Sequence, residues 1–183
     1  MARAGPIISN MKRVATALLA LLVLVPWLRA EYALVQEQGF EALCKDFESD
    51  ILRLPELVKQ VYRFVRARNA EIEMTQGILV CYDLKPEAGA QSRVTIGMQV
   101  AGRVKVTEDY YLKLFTATQG VQIDYEGEVG SFFAFYLLVL TDVQKQGYLL
   151  AGVPRIFFDI ERLMTDKILS GRVFVPVAPK RNP

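Results

Sequence analysis

Histidine is absent from the 183-residue chain. Without imidazole there is no Ser-His-Asp or Cys-His nucleophile pair, and no histidine-containing metal site. Cysteine occurs only as Cys44 and Cys81, with no C-x-x-C spacing to support a dithiol redox pair. A basic excess is missing as well. Lys and Arg number 22 against 20 Asp and Glu, and Arg3, Lys12, Arg13 and Arg29 all fall in the first thirty positions, which hold no acid. The remainder, with 18 basic and 20 acidic residues, carries −2. A chain that neutralises several phosphates needs a concentrated basic surface, so on charge alone no nucleic-acid partner is expected. Nothing in the sequence calls for a cofactor or a metal.

What is present is apolar. Such residues make up 52% of the chain and charged residues 23%, enough for a core without disulfide scaffolding. The length suits one domain plus a targeting segment. Lys12 and Arg13 precede the uncharged run Val14–Leu28, the layout of a secretory signal, with Met11 an alternative start. Pro26 would break a helix ahead of Ala30, a small residue suited to cleavage. Leu28 is bulky for that site, and Trp27 and Arg29 suit the interface of an uncleaved anchor instead. Either way residues 1–30 read as a signal peptide or membrane anchor. The expectation is a periplasmic or secreted protein, or one held at the membrane by residues 14–28. Residues 31–172 then form a single α+β domain and 173–183 an extended Pro-rich tail.

Within that domain, Phe40, Leu43, Cys44, Phe47, Ile51 and Leu54 follow helical spacing. After Pro55, Val58, Val61, Tyr62 and Val65 predict a second helix. Two-residue alternation then takes over at Ile78–Tyr82, Val94–Val100, Tyr110–Leu114 and Val121–Val129. Phe132–Leu140 is apolar throughout and reads as a central strand, with Tyr148–Ala151 its hairpin partner. Pro154 can open a last helix carrying Phe157, Ile160, Leu163, Met164 and Ile168, capped by Gly171. The expected layout is two N-terminal helices, a mainly antiparallel sheet of about five to six strands, and one C-terminal helix packed on it. No internal repeat is visible in the sequence.

Candidate functional residues fall into four groups. Cys44 and Cys81 can form a disulfide outside the cytoplasm or remain two buried thiols. Phe132, Phe133, Phe135, Tyr136 and Tyr148 can line a pocket for an apolar ligand, or simply be core. Lys59, Arg63, Arg66 and Arg68 form a basic helix face that could touch anionic headgroups, or a solvated one. Asp124, Glu126 and Glu128 share one side of a strand and are the first candidates for acid–base work, set against the plain reading of a solvated strand face. Together these favour an exported or membrane-anchored, non-catalytic binding domain that engages an envelope protein or a lipid-like apolar ligand. The alternative is a carboxylate-dependent hydrolase outside the cytoplasm.

Overall fold

The computed structural model describes residues 32–49, 53–68, 77–83, 92–107, 109–165 and 168–179. Met11, Val14–Leu28 and Ala30 lie outside them. Contacts divide the chain into Met1–Tyr32 and Ala33–Pro183. The described residues of the second unit form nine strands and three helices. In chain order these are β1 (Ala33–Glu37), β2 (Phe40–Ser49), α1 (Leu54–Arg68), β3 (Ile78–Asp83), β4 (Ser92–Val100), β5 (Tyr111–Phe115) and β6 (Thr118–Gly127). There follow α2 (Val129–Lys145), β7 (Tyr148–Leu150), β8 (Arg155–Phe158), α3 (Ile160–Thr165) and β9 (Leu169–Pro179).

The strands run antiparallel in the order β1-β6-β9-β8-β3-β4-β2-β5, with β7 on β9. That order is a palindrome. Exchanging β1 with β5, β2 with β6, β3 with β8 and β4 with β9 reverses it. The domain is therefore two copies of one strand–strand–helix–strand–strand unit, meeting at the β3–β8 pair, with β7 and α3 inserted in the second copy. Each copy lends its first strand to the other's edge.

This exchange forces the sheet to curl. β1 and β2 occupy the first and seventh places in the order, which in a flat sheet lie about 29 Å apart at ~4.8 Å per step. Yet only Gln38 and Gly39 join them, and three peptide steps span at most about 11 Å. Thr116 and Ala117 join β5 to β6 under the same constraint. The two edges must converge where those links cross, leaving a trough on one face.

The other face carries the helices. Val94, Ile96, Met98 and Val100 of β4, Leu43 of β2 and Ile156 and Phe158 of β8 are buried there. Over them lie Leu57, Val58, Val61 and Val65 of α1 and Phe132, Tyr136, Val139 and Val143 of α2. Each such side chain contributes about 1.5–3 kcal/mol by leaving water. α1 also obeys the helix dipole, with Glu56 in its first turn and Arg66 and Arg68 in its last. Asp159 caps α3, its Oδ1 accepting from the amides of Glu161 and Arg162 at 3.0 and 3.2 Å.

The expected layout is corrected at three places. Phe40–Ser49 is strand β2, not a first helix. Phe132–Leu140 lies within helix α2, not in a central strand. The segment opened by Pro154 is strand β8, then the short α3, then β9, which runs on to Pro179. Among the described residues no helix is long and apolar enough to cross a membrane.

Candidate ligand-binding site

Strand alternation sends a second set of side chains into the trough. The register aligns Phe40 with Phe115, Ala42 with Gln99, Cys81 with Arg155, Arg155 with Phe174, and Phe174 with Gln122, so all share the helix-free face. Val35 and Glu37 join them from β1. Ala42, Cys44, Cys81, Phe115, Phe157 and Phe174 form one buried cluster there, with Val35 and Phe40 packed against it. Two glycines make the room. A methyl group at Gly120 would fall on the Phe174 ring, and one at Gly97 on the Cys44 sulfur.

Arg155 stands in the middle of these rings, only 8% exposed. Its guanidinium carbon lies 6.0, 5.1 and 5.5 Å from the ring centroids of Phe40, Phe115 and Phe174. Desolvated contacts of this kind reach about 2 kcal/mol. Phe40 stacks on Phe115 at 4.9 Å and meets Phe157 edge-on at 6.0 Å. Arg155 Nη1 donates to Glu37 Oε2, a carboxylate that is itself well buried. Burial pulls the Arg155 pKa down from its ordinary value, and a buried charge of this kind persists only when paired.

Beside the pair opens a cleft of about 220 Å³, walled by Glu37, Phe40, Gln99, Gln122, Arg172 and Phe174 among others. Gln99 Oε1 is buried and has no hydrogen-bond partner among the described residues. It is an acceptor held at the cleft wall with nothing to accept. At the rim, Arg172 lies over Phe157 at 4.5 Å and Lys113 over Phe115 at 5.2 Å.

Farther along the same face Asp46 is a polar hub. It accepts from Thr95 and Tyr111 at 2.7 Å each, and from Arg93. Burial alone would raise its carboxyl, but these bonds and the Arg93 charge outweigh it and hold Asp46 below the ordinary carboxylate range. Burial, and then Asp46 itself, push Tyr111 up.

The residues singled out by sequence are dispersed. Cys44 and Cys81 are buried free thiols on strands that flank β4. Burial pushes both up to about 12. Phe132 and Tyr136 are buried between α2 and the sheet, while Phe133 is exposed and Phe135 and Tyr148 are half-buried. Phe132 and Phe135 touch the Tyr125 ring at 5.1 and 4.7 Å. Arg63, Arg66 and Arg68 are exposed on α1 with Lys59 half-buried, Arg66 lying over Tyr62 and Arg68 over Phe64. Asp124, Glu126 and Glu128 are all exposed. Arg162 grips Glu126 with two hydrogen bonds of 2.8 and 2.9 Å and lowers its pKa. Glu128 precedes α2, its carbonyl accepting from Tyr125 Oη at 2.8 Å. No three acids or cysteines gather into a metal-holding group among the described residues.

The residues that build the cleft escaped the sequence reading. One signal was available. Arg155 sits in Val-Pro-Arg-Ile-Phe-Phe, a charge inside an apolar run, and a buried arginine demands a buried acid and a reason.

No family model and no curated protein matches the chain. Solved structures do. The C-terminal domain of EcmrR superposes with a TM-score of 0.70 at 19% identity over 81% of this chain and 98% of its own. EcmrR in its complex with DNA gives 0.71 at 18% identity over 94% of this chain and 69% of its own. SAV2435 gives 0.50 at 15% identity over 81% and 94%. The chain thus has the fold of the EcmrR C-terminal domain.

That likeness of fold corrects two expectations. A periplasmic or secreted binding protein is not what this fold suggests, since EcmrR is solved on DNA and another neighbour, from Staphylococcus aureus, is described as a bacterial transcription regulation protein (TM-score 0.51, 13% identity). The exclusion of nucleic acid also falls, because EcmrR, with the same fold, is solved on DNA. Net charge was too coarse a guide: it sums the whole surface and says nothing of where a partner is contacted.

Proposed function

We propose that this domain is the small-molecule-binding part of a transcription regulator, with its ligand held in the trough on the helix-free face. The observation that carries this reading is the cleft beside Phe40 and Phe174. Half-buried Phe40 and the edge of Phe174 line an opening on the face that carries no helix, and the buried Gln99 oxygen beside them lacks a donor among the described residues. An apolar ligand with one hydrogen-bond donor would cover the rings and satisfy that oxygen. At about 220 Å³ the cleft is smaller than the ~300–1,000 Å³ of drug-sized sites, and suits one or two fused rings. SAV2435, which shares the fold, is bound to tetraphenylphosphonium. That gives the fold a precedent for an aromatic guest, there an organic cation.

The test uses the neutral fluorophore N-phenyl-1-naphthylamine, titrated into the full chain. Phe174→Leu keeps an apolar side chain but removes the ring, and should weaken binding at least several-fold. Leu149→Ala, on exposed β7, should leave it unchanged. If both variants bind as the unaltered chain does, the fluorophore sits elsewhere and the assignment of the trough fails.

A further inference from the structure

We infer that the cleft discriminates against organic cations and takes an aromatic anion, because Arg155, beside it, already fills the cage of Phe40, Phe115 and Phe174 as a built-in cation. This rests on the trough being the ligand site. The ring faces of Phe40, Phe115 and Phe174, which would receive an incoming cation, are turned to the Arg155 guanidinium at 5.1–6.0 Å. The acid in the cleft wall that could attract a cation, Glu37, is already bound to Arg155. A cationic guest would have to evict a guanidinium that is 8% exposed and leave it without its counter-ion.

The surrounding charges point the same way. Arg172 can be set against Asp124, its partner across the β6–β9 ladder, and Arg93 against Asp46. Lys113 then remains. It lies over Phe115, makes no ion pair among the described residues, and is close enough to lower the pKa of both Cys44 and Cys81 against the effect of burial. Lys113 shares a row with Ala42 and Gln99, so the cleft end of the trough holds this cation, while Glu48, opposite Arg93, lies at the far end. An anion needs no eviction. A guanidinium carries five N–H donors and Glu37 is held by Nη1, so donors remain on Arg155 for a carboxylate or sulfonate. The site chemistry is thus an aromatic face for a ring, a guanidinium for its anionic group, and the Gln99 oxygen for a ring hydroxyl or amine.

A matched pair of naphthyl ions tests this on the full chain: naphthalene-2-sulfonate and trimethyl(2-naphthyl)ammonium, of one ring system and opposite charge. Calorimetry should show the sulfonate binding about tenfold tighter or more, the gain expected of one charge-assisted contact. Glu37→Gln frees the guanidinium and should raise sulfonate affinity further. The double variant E37Q/R155M removes both charges together, so no buried ion is left alone, and should bring the two ligands to within about threefold of each other. The inference is overturned if the ammonium binds the unaltered chain as well as the sulfonate does, or if E37Q/R155M keeps the preference for the anion. It is also overturned if neither ion binds while the neutral fluorophore does; in that case the trough remains a ligand site and only the charge selection is lost. If all three fail to bind, the reading beneath it falls as well.

Discussion

Glu37 and Arg155 form an ion pair across three strand-to-strand steps, from β1 over β6 and β9 to β8. In a flat sheet those steps place the two backbones about 14 Å apart. The pair exists because the exchanged edge strands curl the sheet, and it ties one edge of the trough to its centre. The same curl brings Phe115, on the opposite edge strand, to 5.1 Å from the guanidinium carbon.

Breaking that pair from one side should be costly. Arg155→Met leaves Glu37 buried without a partner, and urea denaturation should show a loss of about 3–5 kcal/mol. E37Q/R155M should recover most of it. A double variant no more stable than Arg155→Met alone would show that the rings, and not the ion pair, hold Arg155 in place.

Phe174 and Gly120 should behave as one unit. Phe174→Ala is expected to cost about 3–5 kcal/mol as a core truncation. Gly120→Ala puts a methyl group where the Phe174 ring lies and should cost about 1–3 kcal/mol by overpacking. In the Phe174→Ala background the added methyl should cost nearly nothing. Additive losses would mean the ring does not depend on that glycine.

How much of the fold could be read from the sequence depended on how each element is covered. Strands open to water on one side showed themselves: Val121, Ile123 and Tyr125 alternate with exposed acids and lie in β6 as expected. Strands covered on both sides did not. In β2, Ala42, Leu43 and Cys44 are all buried, one parity under helices and the other in the trough, so the two-residue period vanishes and a chance helical spacing takes its place. β8 is buried at all four positions for the same reason. The reverse error fell on α2, whose outer face carries exposed Phe133, Leu137 and Leu138, leaving no polar stripe to mark it as a helix. The cleft was unreadable because its walls come from strands far apart in sequence, and the duplication that aligns them is one of topology, not of residues.

Asp46 should govern part of the acid response. Its folded-state pKa is lowered, so the stability it contributes is present above its unfolded value, about 3.9, and is lost as pH falls through the folded value. The stability gap between the unaltered chain and Asp46→Asn should be widest near neutrality and shrink with acidification. A gap that is constant from neutral pH down to about pH 2 would show that the carboxylate charge plays no part.

The thiols should respond at the other end of the scale. Cys44 and Cys81 are raised to about 12 by burial, so their neutral forms favour the fold below the unfolded value of about 8.5, and this contribution is lost as pH rises beyond it. At pH 8 a thiol reagent should titrate neither cysteine in the folded chain and both after denaturant is added. Prompt modification of either one in the native state would show that its side of the trough is open to solvent.

The most direct measurement is a two-dimensional NMR titration of the chain with naphthalene-2-sulfonate. With the ligand on the helix-free face, the backbone signals that move should be those of Glu37, Phe40, Gln99, Arg155 and Phe174, with α1 and α2 unperturbed. Shifts confined to the two helices, or scattered without a maximum at these strands, would contradict it.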